Sequence, residues 1–374
     1  EGATRRKVGE RPGTVEGLGQ AMTDLNFYNG KRVFITGHTG FKGAWMCRIL
    51  ISAGAVLTGY ALEPPTQPNL FSMAGLKGHM NYIVGDVCNL EALSKAFEKA
   101  RPEIVIHMAA QPIVRVGYER PVCTYETNVM GTVNLLECVR ISQAPVRSVV
   151  NITTDKVYQN REWVWGYREN ERLDGFDPYS NSKSCSELVT HSYVRSFFSG
   201  REKAVSTLRA GNVIGGGDFA QSRIIPDCVQ AVQAKRTLVV RNPNSIRPYQ
   251  HVLESLFAYL MVAERQYENI DLAGCYNVGP DECDCVTTGY LVELFKRYWG
   301  EHFSWISETE KNASHEANLL KLDCSKLKEA FGWHPRWRVE HAVEKTVEWT
   351  KVWLSGGDVE KEMDREIKDF IADM

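Results

Sequence analysis

The stretch that most restricts the fold is Thr36-Gly37-His38-Thr39-Gly40-Phe41-Lys42-Gly43. It follows a short apolar run, Lys31 to Thr36, and opens a helical pattern over residues 41–53. Its glycines fall as GxxGxxG. Gly37 permits a tight turn, Gly40 lets backbone approach a pyrophosphate, and Gly43 lets the helix close on the strand. A helix starting there offers free N–H groups and a positive dipole end to an anion. A plain packing turn could use the same glycines; the strand–turn–helix setting is what favours the phosphate reading.

The same alternation continues through the first half. Ala55 to Tyr60, Asn81 to Val84, Glu103 to His107, Val146 to Thr153 and Ala204 to Leu208 read as strands. Residues 89–100, 121–142 and Tyr179 to Phe198 read as helices. This rhythm predicts an α/β chain: a Rossmann-type, doubly wound parallel sheet covered on both faces, with ligands beyond the carboxyl ends of its strands. After about residue 211 the rhythm breaks. Gly215-Gly216-Gly217 reads as a flexible turn, and Pro226, Pro243, Pro248 and Pro280 punctuate shorter elements, with helices over 252–268, 286–299 and 338–354. The expected organisation is a leader over 1–25, disordered by composition, a dinucleotide-binding domain over 26–210, a smaller mixed C-terminal substrate lobe over mainly 211–355, and a charged surface helix or tail over 356–374.

Composition narrows the function. A formal net charge of −2 lacks the basic excess of a nucleic-acid binder. No run reaches roughly 18 apolar residues, so no membrane span is expected. The ten cysteines show neither a CxxC pair nor Cys/His zinc spacing, which points to thiols in a reducing cytosol and to no metal.

A ribose-binding acid belongs at the end of the second strand, about 20 residues past the glycines. Tyr60 or Ala61 occupies that slot, Glu63 lies slightly beyond, and no arginine is near to favour a 2′-phosphate, so NAD is expected over NADP. Asp86, after the third strand, could accept from an adenine amino group or cap the next helix. Tyr179 and Lys183 form Tyr-x-x-x-Lys. Positions four apart share a helix face, and an ammonium near a phenol favours phenolate, which makes Tyr179 a candidate base. Thr153-Thr154 lies upstream at a strand end, where a hydroxyl can hold the oxygen that loses its proton.

The order GxxGxxG, His107-Met108-Ala109-Ala110-Gln111, Thr-Thr, Tyr-x-x-x-Lys resembles the extended short-chain dehydrogenase/reductase superfamily. Thr154-Asp155-Lys156-Val157-Tyr158, Glu162 to Asn170, Arg209 to Asp218, Arg241-Asn242-Pro243, Ile246-Arg247-Pro248 and His334-Pro335-Arg336-Trp337 are similar to the CDP-glucose 4,6-dehydratases over about residues 26–355. Thr154, Val157 and Tyr249 depart from the family pattern, the last where it bears on the substrate lobe.

The resemblance implies a three-step chemistry. Tyr179 takes the proton of the sugar 4-hydroxyl while C4 gives hydride to NAD, with Thr154 and Lys183 holding the site. Asp155 as acid and Lys156 as base then remove water across C5–C6, and hydride returns to C6. As an ordinary reading, Asp155-Lys156 is a loop ion pair. Gly37, Thr39, Gly40, Phe41, Lys42, Gly43, Asp86, Val87, Ala109, Ala110, Gln111, Asn128, Thr153, Tyr179 and Lys183 are expected at the cofactor. Gln111, Arg115, Asn212, Arg223, Arg241 and Arg247 are expected at the nucleotide sugar, each arginine having a solvated surface charge as its alternative. His107 reads as structural. A cytoplasmic homodimer or homotetramer, with the Tyr179 helix at the dimer contact, is the family habit. A 4-epimerase would need Tyr179 but no elimination pair, and a non-catalytic dinucleotide sensor would need neither Tyr179 nor Lys183.

Overall fold

The computed structural model describes residues 23–200, 203–308 and 319–374. Seven parallel strands form the central sheet. The first six in chain order are β1 (Arg32–Thr36), β2 (Val56–Ala61), β3 (Asn81–Val84), β4 (Ile104–His107), β5 (Ser148–Thr154) and β6 (Ala204–Ala210), and Cys275–Val278 is the seventh. Across the sheet the order is β3, β2, β1, β4, β5, β6 and Cys275–Val278. Chain direction across the sheet reverses between β1 and β4, where Thr36 stands level with both Tyr60 and His107. Open sheets of this kind bind ligands in the crevice above such a reversal.

The strands are apolar on both faces because both faces are covered. Val33, Ile35, Ile106, Val150 and Ile152 pack with α1 (Phe41–Ser52) and the helix Val252–Glu268. Phe34, Val105, Val149 and Val205 pack on the other side with the helices Leu90–Ala100 and Gly131–Ile141. This is the period of two expected of a strand.

Several elements differ from the sequence expectations. The helix read over 121–142 is a helix Pro121–Tyr125, a π turn Glu126–Met130 and a helix Gly131–Ile141. The π turn is where Asn128 leaves the helical ladder to clamp a neighbouring loop, a common device near functional sites. The Gly215–Gly217 segment is buried rather than flexible: a Cβ on Gly216 would lie 2.0 Å from the Trp349 ring, and one on Gly217 would lie 2.6 Å from Leu70. The division at residue 210 is not clean, since the seventh strand lies in the central sheet and the helix Val252–Glu268 packs on that sheet.

The second apolar cluster gathers Ile225, Leu291, Phe295 and Val343 from the helices Ile224–Gln233, Thr288–Trp299 and Val339–Leu354, with Val240 from the strand Leu238–Val240. Short strand pairs edge it, including the antiparallel pair Ile246–Pro248 with Cys285–Thr287. Tyr249 is buried there with its hydroxyl 3.0 Å from that of Thr288. The charged C-terminus is a docked helix, Val359–Ala372, whose Met363, Ile367 and Phe370 enter the main core, and Arg48 of α1 pairs with its Glu360 and Asp364. The folded part begins before Asn26: buried Thr23 donates to the Phe257 carbonyl at 3.1 Å. Residues 1–22 of the expected leader lie outside the described residues.

Candidate active site

The glycine turn sits above the sheet reversal. Gly37 has φ +78°, and a Cβ there would strike the Ala109 backbone nitrogen at 2.7 Å. Gly43 carries the helix against the turn, where a Cβ would lie 2.1 Å from the Gly37 carbonyl. Gly40 differs: its nearest contact would be an ordinary 3.6 Å, so its freedom serves something outside the turn. Gly40 is the N-cap of α1 and gives no side-chain cap, which leaves the first N–H groups of α1 turned to the crevice. These features fit a dinucleotide pyrophosphate. Thr39 closes the turn with its hydroxyl on the Leu62 carbonyl at 2.9 Å. Behind Phe41, Lys42 donates to the Tyr259 hydroxyl at 2.7 Å. Burial pushes the Lys42 ammonium down to about 7, Arg223 and Lys183 push the same way, and Asp155 opposes them.

At the end of β2, Tyr60 and Ala61 are buried, and the Tyr60 hydroxyl donates to the Asp86 carbonyl at 3.1 Å. Asp86 is exposed and closes a small turn onto the Cys88 N–H at 2.9 Å. The cap of the following helix is Asn89, which removes the capping alternative for Asp86. Val87 packs into the core with Gly131 closely opposed.

After β4, the Ala109 N–H donates to the Thr36 hydroxyl oxygen at 3.2 Å, and Ala110 follows it, half-buried. Three expected ligand contacts are engaged elsewhere. The Gln111 side chain shapes its own loop, donating to Thr124 at 2.9 Å and accepting from the Ile113 N–H at 2.7 Å. Asn128 holds that loop to the Tyr179 helix, donating to the Gln111 carbonyl at 3.1 Å and to the Ser182 hydroxyl at 2.9 Å. Arg115 lies in an exposed ion pair with Glu119, one helical turn on, at 3.1 Å. His107 is structural as expected, between the hydroxyls of Thr36 and Thr132 at 2.7 and 3.2 Å, and burial pushes it down to about 3.

The helix Pro178–Tyr193 brings Tyr179 and Lys183 under the carboxyl end of β5, with Asp177 capping it. Both side chains are buried. Burial pushes the Tyr179 phenol up to about 12; a hydrogen bond with the Thr154 hydroxyl and the charge of Arg223 oppose the rise. Lys183 donates to the Ile152 carbonyl at 3.0 Å, and burial pushes it down to about 8 against the pull of Glu187. The strand's alternation separates the two threonines. Thr154 reaches the site, its hydroxyl donating to Asp155 at 2.9 Å. Thr153 instead donates to Glu187 at 2.5 Å, so its hydroxyl serves the helix packing and not the cofactor edge.

Asp155 is 0% exposed, which removes the reading of a surface ion pair. Its Oδ1 accepts from the Lys156 ammonium at 3.0 Å, while its Oδ2 is buried without a protein partner. Lys156, at 28% side-chain exposure, also donates to Asn212 Oδ1 at 3.3 Å.

The arginines divide. Arg223 pairs with Asp218 at 3.0 Å, and its charge reaches Tyr179 and Lys42. Arg247 is buried on the Ile246–Pro248 strand and donates to the Ile246 carbonyl at 3.0 Å. Arg241 is exposed near Asp227.

Two contributors have no local signature. Tyr259 comes from a helix far along the chain to meet Lys42, and burial pushes its phenol well up, with the charges of Tyr179 and Asp155 acting in the same sense. The donor atoms of Glu187, His191 and Cys275 lie within 4.8 Å of one another, a grouping that sequence spacing does not suggest. Both Glu187 oxygens are already taken by Arg209, Thr153 and Thr207. All ten cysteines are free thiols.

A family model described as GDP-mannose 4,6 dehydratase matches residues 34–346. The CDP-glucose 4,6-dehydratase of Salmonella typhimurium is 48% identical over 357 residues, covering 94% of this chain and 99% of that protein. A probable dTDP-glucose 4,6-dehydratase of Sinorhizobium fredii is 27% identical over 333 residues, covering 85% and 92%. Among solved structures, UDP-glucose 4-epimerase of Thermotoga maritima with UDP-glucose has a TM-score of 0.73 at 21% identity, over 86% of this chain and 99% of that one. The dTDP-glucose 4,6-dehydratase of Bacillus anthracis in complex with NAD has a TM-score of 0.71 at 19% identity, over 89% and 100%. At these identities the solved structures establish a shared fold.

Proposed function

The chain belongs to the GDP-mannose 4,6 dehydratase family, and on that premise we propose that it converts CDP-glucose to CDP-4-dehydro-6-deoxyglucose with loss of one water. The observation that carries this reading is the closeness of two pairs: the Thr154 hydroxyl donates to Asp155 of the Asp155/Lys156 pair at 2.9 Å, and Thr154 and Asp155 both act on the phenol of Tyr179 in the Tyr179/Lys183 pair. The oxidation pair and the elimination pair therefore stand side by side.

The glycine turn and the N-terminus of α1 would hold NAD, which when bound would supply the oxidant at C4 and, once reduced, the reductant at C6. Tyr179 takes the proton of the 4-hydroxyl, with Thr154 holding that oxygen and Lys183 adding positive charge. The 4-ketone acidifies C5, so Lys156 takes the C5 proton while Asp155 protonates the departing 6-hydroxyl. The lobe carrying Arg223 and Arg247 holds the diphosphate, which the planar guanidinium suits. Cytidine as the base rests on likeness to the Salmonella enzyme.

The setting we propose is deoxysugar synthesis for cell-surface polysaccharide in the cytoplasm. No helix among the described residues is long and apolar enough to cross a membrane. A homodimer or homotetramer through the Tyr179 helix is proposed from the likeness to the family.

The test is incubation with CDP-, dTDP-, UDP- and GDP-glucose plus NAD, with products weighed by mass spectrometry. A CDP product lighter by one water is expected. An isomer of unchanged mass would establish a 4-epimerase instead.

A further inference from the structure

A lysine that is to take a proton from carbon must be held still. Its long side chain carries up to about 2 kcal/mol of rotamer entropy, and a base works only within hydrogen-bond reach of its proton. Lys156 is the most solvent-exposed member of the cluster, with 28% of its side chain accessible against 0% for Asp155. One acceptor, its own neighbour Asp155, cannot fix the direction of its ammonium.

We propose that Asn212 is the positioning residue for Lys156, and that its side chain carbonyl serves the elimination step. This rests on the dehydratase reading above. The Lys156 ammonium donates to Asp155 Oδ1 at 3.0 Å and to Asn212 Oδ1 at 3.3 Å. Two of its three donor directions are thereby committed, from two different segments, and the third is left to point elsewhere. Asn212 itself is anchored. Its carbonyl accepts the Gln250 N–H at 3.0 Å, and Gly211 before it lies so near Pro248 that a Cβ would approach to 2.7 Å. The segment that carries Arg247 thus fixes the backbone that orients Lys156. A diphosphate held at Arg247 and a base held at C5 are two ends of one strut.

The chemistry of the amide fits the task. A neutral carbonyl oxygen orients an ammonium without the second full negative charge that would favour its protonated form. An aspartate at 212 would hold the same geometry but keep Lys156 protonated, and so unable to accept a proton, up to a higher pH.

The experiment measures kcat, KM and solvent deuterium exchange at C5 for the wild type, Asn212→Ala and Asn212→Asp. The wild type must first show loss of water; if it does not, the dehydratase reading fails and not this assignment. For Asn212→Ala we expect kcat and C5 exchange to fall together by roughly 10–100-fold, the scale of one misplaced proton transfer, with KM changed less than about threefold. For Asn212→Asp we expect the rising limb of kcat against pH to move to higher pH, with activity recovered on the alkaline side. That shift is read within one folded variant, so it stands even if the alanine variant folds poorly. A raised KM with unchanged kcat and unchanged C5 exchange in Asn212→Ala would make Asn212 a phosphate contact and overturn the proposal. An Asn212→Asp profile that does not move would overturn it as well.

Discussion

Glu187 and Arg209 form a bidentate ion pair at 3.0 and 2.9 Å in which neither side chain is more than 1% exposed. Burial alone would raise the Glu187 carboxyl, and Arg209 with the hydroxyls of Thr153 and Thr207 holds it below its ordinary range. Arg209 continues to the Tyr158 hydroxyl at 2.9 Å, so the pair ties the Tyr179 helix to the segment that follows Asp155-Lys156. Glu187→Ala leaves a guanidinium buried without its partner, and should cost about 3–5 kcal/mol in denaturant unfolding. A loss under about 1 kcal/mol would mean that water reaches Arg209.

The two halves of the chemistry separate by substitution. Tyr179→Phe removes the base at the 4-hydroxyl and should slow oxidation roughly 10²–10⁴-fold. Lys156→Ala leaves Tyr179, Lys183 and the glycine turn in place, so the first oxidation should survive while elimination stalls. Reduced-nicotinamide absorbance should then build up on mixing with substrate, and C5 exchange should collapse. Folding is checked first by thermal melt. A folded Lys156→Ala enzyme with normal turnover and normal exchange would take Lys156 out of the mechanism.

NAD should support turnover and NADP should do so poorly, because β2 ends in Tyr60 and Ala61 and offers neither an acid for a ribose hydroxyl nor an arginine for a 2′-phosphate. The missing acid also predicts loose binding, so dialysed enzyme should need added NAD. Equal rates with both cofactors would overturn the first expectation, and full activity after exhaustive dialysis the second.

Arg247→Ala should raise KM for the nucleotide sugar far more than it lowers kcat, since a diphosphate contact acts equally in ground and transition states. An unchanged KM would place the Arg247 guanidinium outside the site and leave it a structural group of its buried strand.

Glu254 gives a pH dependence unrelated to catalysis. It is buried, accepts the Arg336 and Trp337 N–H groups at 2.8 and 2.5 Å, and burial raises it to about 7 from 4.5 despite those bonds. The folded state therefore binds this proton more tightly than the unfolded chain does. The stability it contributes is fully present below about pH 4.5 and is lost as pH rises through about 7. Melting temperatures of Glu254→Gln and wild type, taken across that window, should diverge in the variant's favour as pH rises. Parallel curves would show that Glu254 does not titrate there.

The sequence by itself determined what depends on near neighbours. The strand–turn–helix with its glycines, the strand positions up to Ala210 and the Tyr179/Lys183 spacing are local patterns, set by periodicity and by contacts within a few residues. Asp155-Lys156 was legible as a pair, but the burial of Asp155 was not, because burial depends on what the rest of the chain lays over it. Tertiary structure alone decided which face each polar group took. A period of two sends Thr154 to the site and Thr153 to Glu187. It turned Gln111 and Asn128 into loop clamps and left Arg115 in an exposed ion pair. It also joined partners far apart in the chain: Lys42 with Tyr259, Glu187 with Arg209, and Lys156 with Asn212. Those pairings follow from strand order and helix packing, which bring distant segments to one sheet edge, and no local spacing encodes them.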